Sequence, residues 1–344
     1  MDKALIDVPV AMIFFNRPEP LKQCFEAVRE AKPTKLFLIQ DGARTNNPND
    51  AENIQKCRDV VSNIDWECEV KQIFSDVNLG CGKRIYSGVK EAFESVDRLI
   101  ILEDDIVTSK DFFTFCAEML ERYKDDERII DIAGMNHCGV TERCPYSYFY
   151  SELGSCWGWA TWKRSWDLMQ YELDFLKDTY AVDCFLNSIY QTKAVRKQII
   201  KDAKERKEIL DSGRRLSAWT FQFKMAGYLN STLSIVPQKN LISNIGLTAD
   251  SSHASGSIKK IPKGLQKVFF AERHPMTFPL KHPKYVIEDN QYAKEVYKIL
   301  GLTPVLSVTR RIEGVIRRII FAEKGDIKRL LKRLFKNNKF KMSV

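Results

Sequence analysis

Three acidic side chains in a row, Glu103-Asp104-Asp105, follow directly on the apolar run Leu99-Ile100-Ile101-Leu102. Like charges this close repel, so such a run at a strand end points to a cation that neutralises it. A hard divalent ion needs only one or two carboxylates when substrate phosphates complete its shell. The competing reading is a solvated acidic turn, with Thr108 or Ser109 capping the helix that follows. Two further polar groups fall at equivalent places: Asn16-Arg17 after the apolar run Val8 to Phe15, and Asp41 after Lys35 to Gln40. In open α/β sheets ligands bind outside the carboxyl ends of the strands, so parallel strands would bring all three groups to one edge.

The elements that must do this positioning are legible over the first 135 residues. Pro18 opens a helix whose Leu21, Phe25, Val28 and Ala31 recur at helical spacing. Lys35 to Gln40 reads as a strand closed by the turn Asp41-Gly42, and a helix then runs through about Ser62. Glu69 to Phe74, Arg98 to Leu102 and Ile129 to Ala133 read as further strands. Helices lie between them, one ending near Val96 and one from about Lys110 to Tyr123. This alternation predicts an α/β fold with a mostly parallel central sheet and helices on both faces. The chain is then aromatic-rich to about residue 170 and helical to about 230, with one more strand at Leu233 to Pro237.

Composition excludes several classes. With 44% apolar and 29% charged residues, the chain is neither disordered nor membrane-spanning in character, and no apolar run reaches the roughly 18 residues of a spanning helix. Nine cysteines without a CxxC pair (Cys138 and Cys144 come nearest) read as free thiols, and the first residues carry no signal-peptide pattern. Together these predict a cytoplasmic setting. The net charge of +9 is local: residues 305–344 hold twelve Lys and Arg against Glu313, Glu323 and Asp326, leaving 42 of each sign in the first 304 positions. A neutral body without an RNA-binding motif argues against a nucleic-acid partner.

Val10 to Arg17 with Pro18, Leu36 to Gly42, Asn78-Leu79-Gly80, and Leu99 through Asp111-Phe112-Phe113 together resemble the donor half of GT-A fold nucleotide-sugar glycosyltransferases. The likeness is to the N-acetylglucosaminyltransferase I type and to related bacterial sugar transferases. It implies a catalytic domain over residues 1–257, with a nucleotide-sugar-binding half (1–135) and an acceptor half (136–257). Residues 258–304 would connect it to a helical C-terminal extension at 305–344. The resemblance implies that Asp105 ligates Mn2+ or Mg2+ and that Glu103 and Asp104 face the ribose and donor sugar. Arg17, Asp41 and Asn78 would contact the nucleotide of a UDP-sugar, with Lys83 either at the phosphates or simply solvated on its helix. Trp157-Gly158-Trp159 resembles a tryptophan segment near the acceptor, where indole faces stack on sugar rings; core packing is the alternative. Asn244-Ile245-Gly246 through Asp250, His253 and Gly256 resembles the loop that closes over the donor, with His253 a candidate metal or diphosphate ligand.

One departure concerns the base that takes the acceptor's proton. Where the family has a Trp followed by acidic residues, this chain reads Trp219-Thr220-Phe221-Gln222, which leaves Asp211 and Glu152 as candidates. The expected activity is transfer to a glycan or lipid-linked acceptor in bacterial surface polysaccharide assembly. A sugar-phosphate nucleotidylyltransferase shares the architecture, but Phe15-Asn16-Arg17-Pro18 lacks the glycine-rich phosphate loop such enzymes carry after the first strand. In the tail, Ile312, Val315, Ile316, Ile319 and Ile320, then Ile327, Leu330, Leu331, Leu334 and Phe335, predict two basic amphipathic helices hinged near Gly325. The first reads as packed on the body. The second reads as lying on an anionic bilayer at the inner face of the cell membrane, within reach of a lipid-linked acceptor.

Overall fold

The computed structural model describes residues 2–188, 192–247 and 257–322. Its elements run β1 (Val10–Phe14), α1 (Pro18–Ala31), β2 (Lys35–Gln40), α2 (Asp50–Ser62), β3 (Glu69–Phe74), α3 (Cys81–Ala92), β4 (Arg98–Glu103), β5 (Ile106–Thr108) and α4 (Asp111–Arg122). Then come β6 (Ile129–Ala133), β7 (Tyr148–Ser151), β8 (Trp159–Trp162), α5 (Lys163–Trp166), α6 (Thr179–Asn187), α7 (Lys193–Asp211) and α8 (Thr220–Leu229). The last elements among the described residues are β9 (Leu233–Pro237), β10 (Ile242–Asn244), α9 (Lys263–Gln266), α10 (Asn290–Leu300) and α11 (Pro304–Ile320).

Eight strands form one sheet in the order β3-β2-β1-β4-β8-β6-β9-β7. β1, β2, β3, β4, β6 and β9 share a direction, while β8 opposes β4 and β6, and β7 opposes β9. The fold is therefore α/β with a mostly parallel sheet. That sheet takes strands from both sides of residue 135. Successive β1 residues serve opposite faces: Val10, Met12 and Phe14 pack with Leu21, Cys24, Phe25 and Val28 of α1, and Ala11 and Ile13 pack with Ile85 and Val89 of α3. Both faces are covered, which is why β1 is apolar throughout rather than alternating. Tyr292, Ala293 and Val296 of α10 bury against Phe149 and Val236, so the connecting segment closes one end of the sheet.

The tryptophan segment is corrected by the structure. Trp159 to Trp162 is a strand at the centre of the sheet, and Trp159 is 1% exposed, packed against Trp166, Trp219 and Phe223. It cannot stack on an acceptor sugar without dismantling that aromatic core. Trp157, two residues earlier, keeps partial exposure and lies 5.2 Å from the Phe269 ring. The nine cysteines are all free. No helix among the described residues is long and apolar enough to cross a membrane.

Candidate functional site

The winding of the sheet reverses at β1, with β2 and β3 on one side and β4 on the other. A crevice outside the carboxyl ends of β1 and β4 is where α/β sheets bind ligands. Proline at the first position of α1 disfavours helical backbone at the residue before it, and Arg17 has φ −121°. Its guanidinium meets the end of β4 in consequence. Nη2 pairs with Asp104 and reaches Asp105 Oδ2 at 2.8 Å, while the Phe15 amide donates to Asp104 Oδ2 at 3.4 Å. One guanidinium thus serves two carboxylates, with Glu103 adjacent and partly exposed.

The charge balance leaves a surplus of negative groups. Burial, then the charges of Asp105 and Asp104, push the Glu103 carboxyl up to about 8. Burial also raises Asp104 to about 6, with Arg17 opposing the rise and Asp105 adding to it. Burial pulls the Arg17 guanidinium down, but the two carboxylates outweigh it and its pKa goes up. Arg17 is thus held charged while Asp104 is pushed toward its neutral form, and one arrangement causes both. Arg17 gains two partners, whereas Asp104 shares one guanidinium with Asp105 and is buried besides. No group of three or more His, Cys, Asp or Glu among the described residues is arranged to enclose a metal ion. Glu103 and Asp105 each keep partial exposure at this strand end.

Immediately after Asp105, β5 pairs with β10. The Ile245 amide donates to the Asp105 carbonyl at 2.8 Å, and Asn244 Oδ1 accepts from the Gly246 amide at 2.8 Å. A Cβ at position 246 would lie 2.0 Å from Asp105 Oδ2, so that side chain would have to move aside. Gly246→Ala is therefore expected to displace the Asp105 carboxylate, at an overpacking cost of about 1–3 kcal/mol in thermal unfolding. A melting temperature equal to the wild type's would show that the contact is not tight. His253 lies outside the described residues.

Asp41 and Asn78 come together, but as parts of one loop network. Asp41 accepts from the amides of Gly42 (3.0 Å), Leu79 (2.8 Å) and Gly80 (2.8 Å) and from Asn78 Nδ2 (3.1 Å). Arg215 Nη1 donates to the Asn78 carbonyl at 2.7 Å. With four donors on its two oxygens, Asp41 shapes the turn that starts α3. The Cys81 thiol, first in α3, is pushed up to about 12 by burial and then by Glu103, Asp104 and Asp41, so this helix start borders the carboxylate cluster. Lys83, on the same turn of helix, is exposed.

Sequence reading missed two groups near this edge and one away from it. Arg44 lies 5.3 Å from the Phe15 ring centroid, oriented by the fully buried Asp50, whose carboxylate takes its Nε at 2.6 Å and also takes Asn16 Nδ2 at 2.8 Å. Those contacts join a turn-rich loop to a strand end, and no periodicity announces them. Asp131, by contrast, was visible as a charge inside the apolar strand Ile129-Ile130-Asp131-Ile132-Ala133. The ladder of β6 with β9 slips by one residue between Ile129 and Asp131, a β-bulge of the kind that re-aims side chains. Ile130 and Asp131 both line a cavity of about 20 Å³, room for roughly one water, shared with Glu152, Cys156, Phe223, Lys224, Tyr228 and Ser234. Asp131 is 4% exposed, and its Oδ1 has no hydrogen-bond partner among the described residues. Burial raises its carboxyl to about 6, with Ser234 and Lys224 opposing the rise.

Of the two candidate bases, Glu152 lines this cavity and accepts from the Tyr297 hydroxyl at 3.0 Å. Asp211 ends α7, exposed and joined to Lys207 at 2.6 Å.

No protein-family model matches the chain, and no curated protein does. Among solved structures it matches the crystal structure of HddC from Yersinia pseudotuberculosis at 14% identity and a TM-score of 0.24. That match covers 34% of this chain and 55% of the other. A likeness this slight supports no statement about function.

Proposed function

We propose that the chain is a GT-A type glycosyltransferase that moves a sugar from a nucleoside-diphosphate donor, in the first instance a UDP-sugar, to a glycan or lipid-linked acceptor. The observation that carries this reading is the meeting of Arg17 with Asp104 and Asp105 in the β1–β4 crevice, where the carboxylates outnumber the cation facing them. Asp105, with its Gly246 neighbour, is the residue that would hold Mn2+ or Mg2+ together with the donor's phosphates. When bound, the ion neutralises the charge that develops on the departing diphosphate. Arg17 keeps Asp104 and Asp105 side by side, and Asp41 fixes the turn at the start of α3 that borders them. Arg44 and Phe15 form a cation–aromatic pair beside the strand end, of the kind on which a flat base can rest.

In the transfer, an acceptor hydroxyl attacks the anomeric carbon. The bond from that carbon to the diphosphate oxygen breaks, and its electron pair leaves with the nucleotide. The hydroxyl proton passes to a carboxylate base. Glu152 and Asp211 are the carboxylates this reading offers for that role.

The deciding experiment titrates the full chain with nucleoside diphosphates, with and without Mn2+, by calorimetry and thermal shift. One nucleoside diphosphate should raise the melting temperature by several degrees in the presence of Mn2+, as expected for ligand at roughly 100 times its dissociation constant. Its sugar conjugate should then be slowly hydrolysed to free nucleoside diphosphate. Pyrophosphate release from a nucleoside triphosphate and a sugar phosphate would instead establish a nucleotidylyltransferase. Failure of every nucleotide to bind would remove the proposal.

A further inference from the structure

Helix α11 is amphipathic with its faces inverted. A surface helix normally turns its apolar stripe to the core and its charges to water. Here Val305, Val308, Ile312, Ile316, Ile319 and Ile320, spaced three or four residues apart for the most part, are each 50 to 74% exposed. The face toward the body is polar. Glu313 accepts from the Lys263 amide at 2.9 Å and pairs with Arg310 and Arg317, while Arg317 Nη1 donates to the Lys259 carbonyl at 3.1 Å. Arg310 reaches the Lys298 carbonyl at 3.2 Å, and Gly314 lies close to Pro262. The helix is clamped by charge and presents about five turns of branched aliphatic side chains outward. The first tail helix thus rests on the body as expected, but by its polar side. The second helix expected from the sequence lies outside the described residues.

We infer that this outward stripe docks on the surface of an anionic lipid bilayer. The stripe is flanked by the exposed Arg311 and Arg318, and residues 305–344 carry twelve Lys and Arg against three acidic residues. An apolar stripe edged by cations matches a surface that is apolar beneath and anionic at its headgroups. The same charges disfavour the other occupants. A second copy paired face to face would bring two arginine-rich helices together, and the remaining tail would bring eight further cations against the same flanks. Phosphates of a nucleic acid would leave the aliphatic stripe in water. The inference is independent of the reaction proposed above, because it concerns a helix with no part in the crevice.

The test is sedimentation of the full chain with phosphatidylcholine vesicles, with and without phosphatidylglycerol, at low and high salt. The comparison is the full-chain triple variant Ile312→Glu, Ile316→Glu, Ile319→Glu. Those side chains face water, so the variant should melt as the wild type does. The wild type should sediment with the anionic vesicles at low salt, and binding should fall roughly tenfold or more in the variant. Equal binding of the two proteins would overturn the inference, since charge elsewhere would then suffice. So would absence of vesicle binding, whether the wild type stays a single chain or forms a dimer that the variant dissolves.

Discussion

Asp105→Asn should lower Mn2+-dependent turnover of the nucleotide sugar by about a hundredfold or more, the usual scale for losing a charge-stabilising group in an active site. The substitution keeps the shape of the side chain and removes one negative charge from a cluster that already has too many. Arg17 retains its pairing with Asp104, so the crevice keeps its wall. Stability should hold or rise slightly, because relief of repulsion on Glu103 and Asp104 offsets the loss of the 2.8 Å contact to Arg17. The expected signature is thus a silent variant in melting and a nearly inactive one in turnover, with donor affinity no longer responsive to Mn2+. Turnover within about threefold of the wild type, measured at saturating donor, would remove Asp105 from the metal site.

The donor-side edge was legible because its signals are local. Parallel strands buried on both faces appear as short, largely apolar runs, and β2, β6 and β9 begin and end where their composition says; the edge strand β3, mostly exposed, keeps the expected bounds as well. The polar residues directly after such runs must lie at the carboxyl edge, whatever the rest of the chain does. β5, β7, β8 and β10 carry no such signal. Three or four residues long, they are strands only because neighbours from distant parts of the chain pair with them. Hence Trp159 read equally well as a ligand platform or as core. Periodicity likewise marked the apolar stripe of α11 but not its direction, which Glu313 and Arg317 set through bonds to backbone groups some fifty residues earlier. The bulge at Ile130 is of the same kind. An alternating reading sends Asp131 and Ile130 to opposite faces, and only pairing with β9 brings both to one cavity.

That bulge places a carboxyl where burial opposes its ionisation, and the consequence is measurable. Asp131 ordinarily titrates near 3.8 and is raised to about 6 in the fold. As pH rises past 3.8, the unfolded chain releases this proton while the folded chain keeps it, so stability falls with pH until about 6 and is level above. The shift corresponds to about 3 kcal/mol of destabilisation at neutral pH. Asp131→Asn removes the ionisation and keeps the shape, and the Ser234 hydroxyl can turn to accept from the new amide. The variant should match the wild type at pH 3.5 and exceed it by about 2–3 kcal/mol at pH 7, measured by denaturant unfolding at both values. Lys224 limits the gain, since it loses a carboxylate and keeps Glu152 nearby. Donor affinity should be unchanged, because the cavity is apart from the β1–β4 crevice. No gain at pH 7 would refute the buried carboxyl.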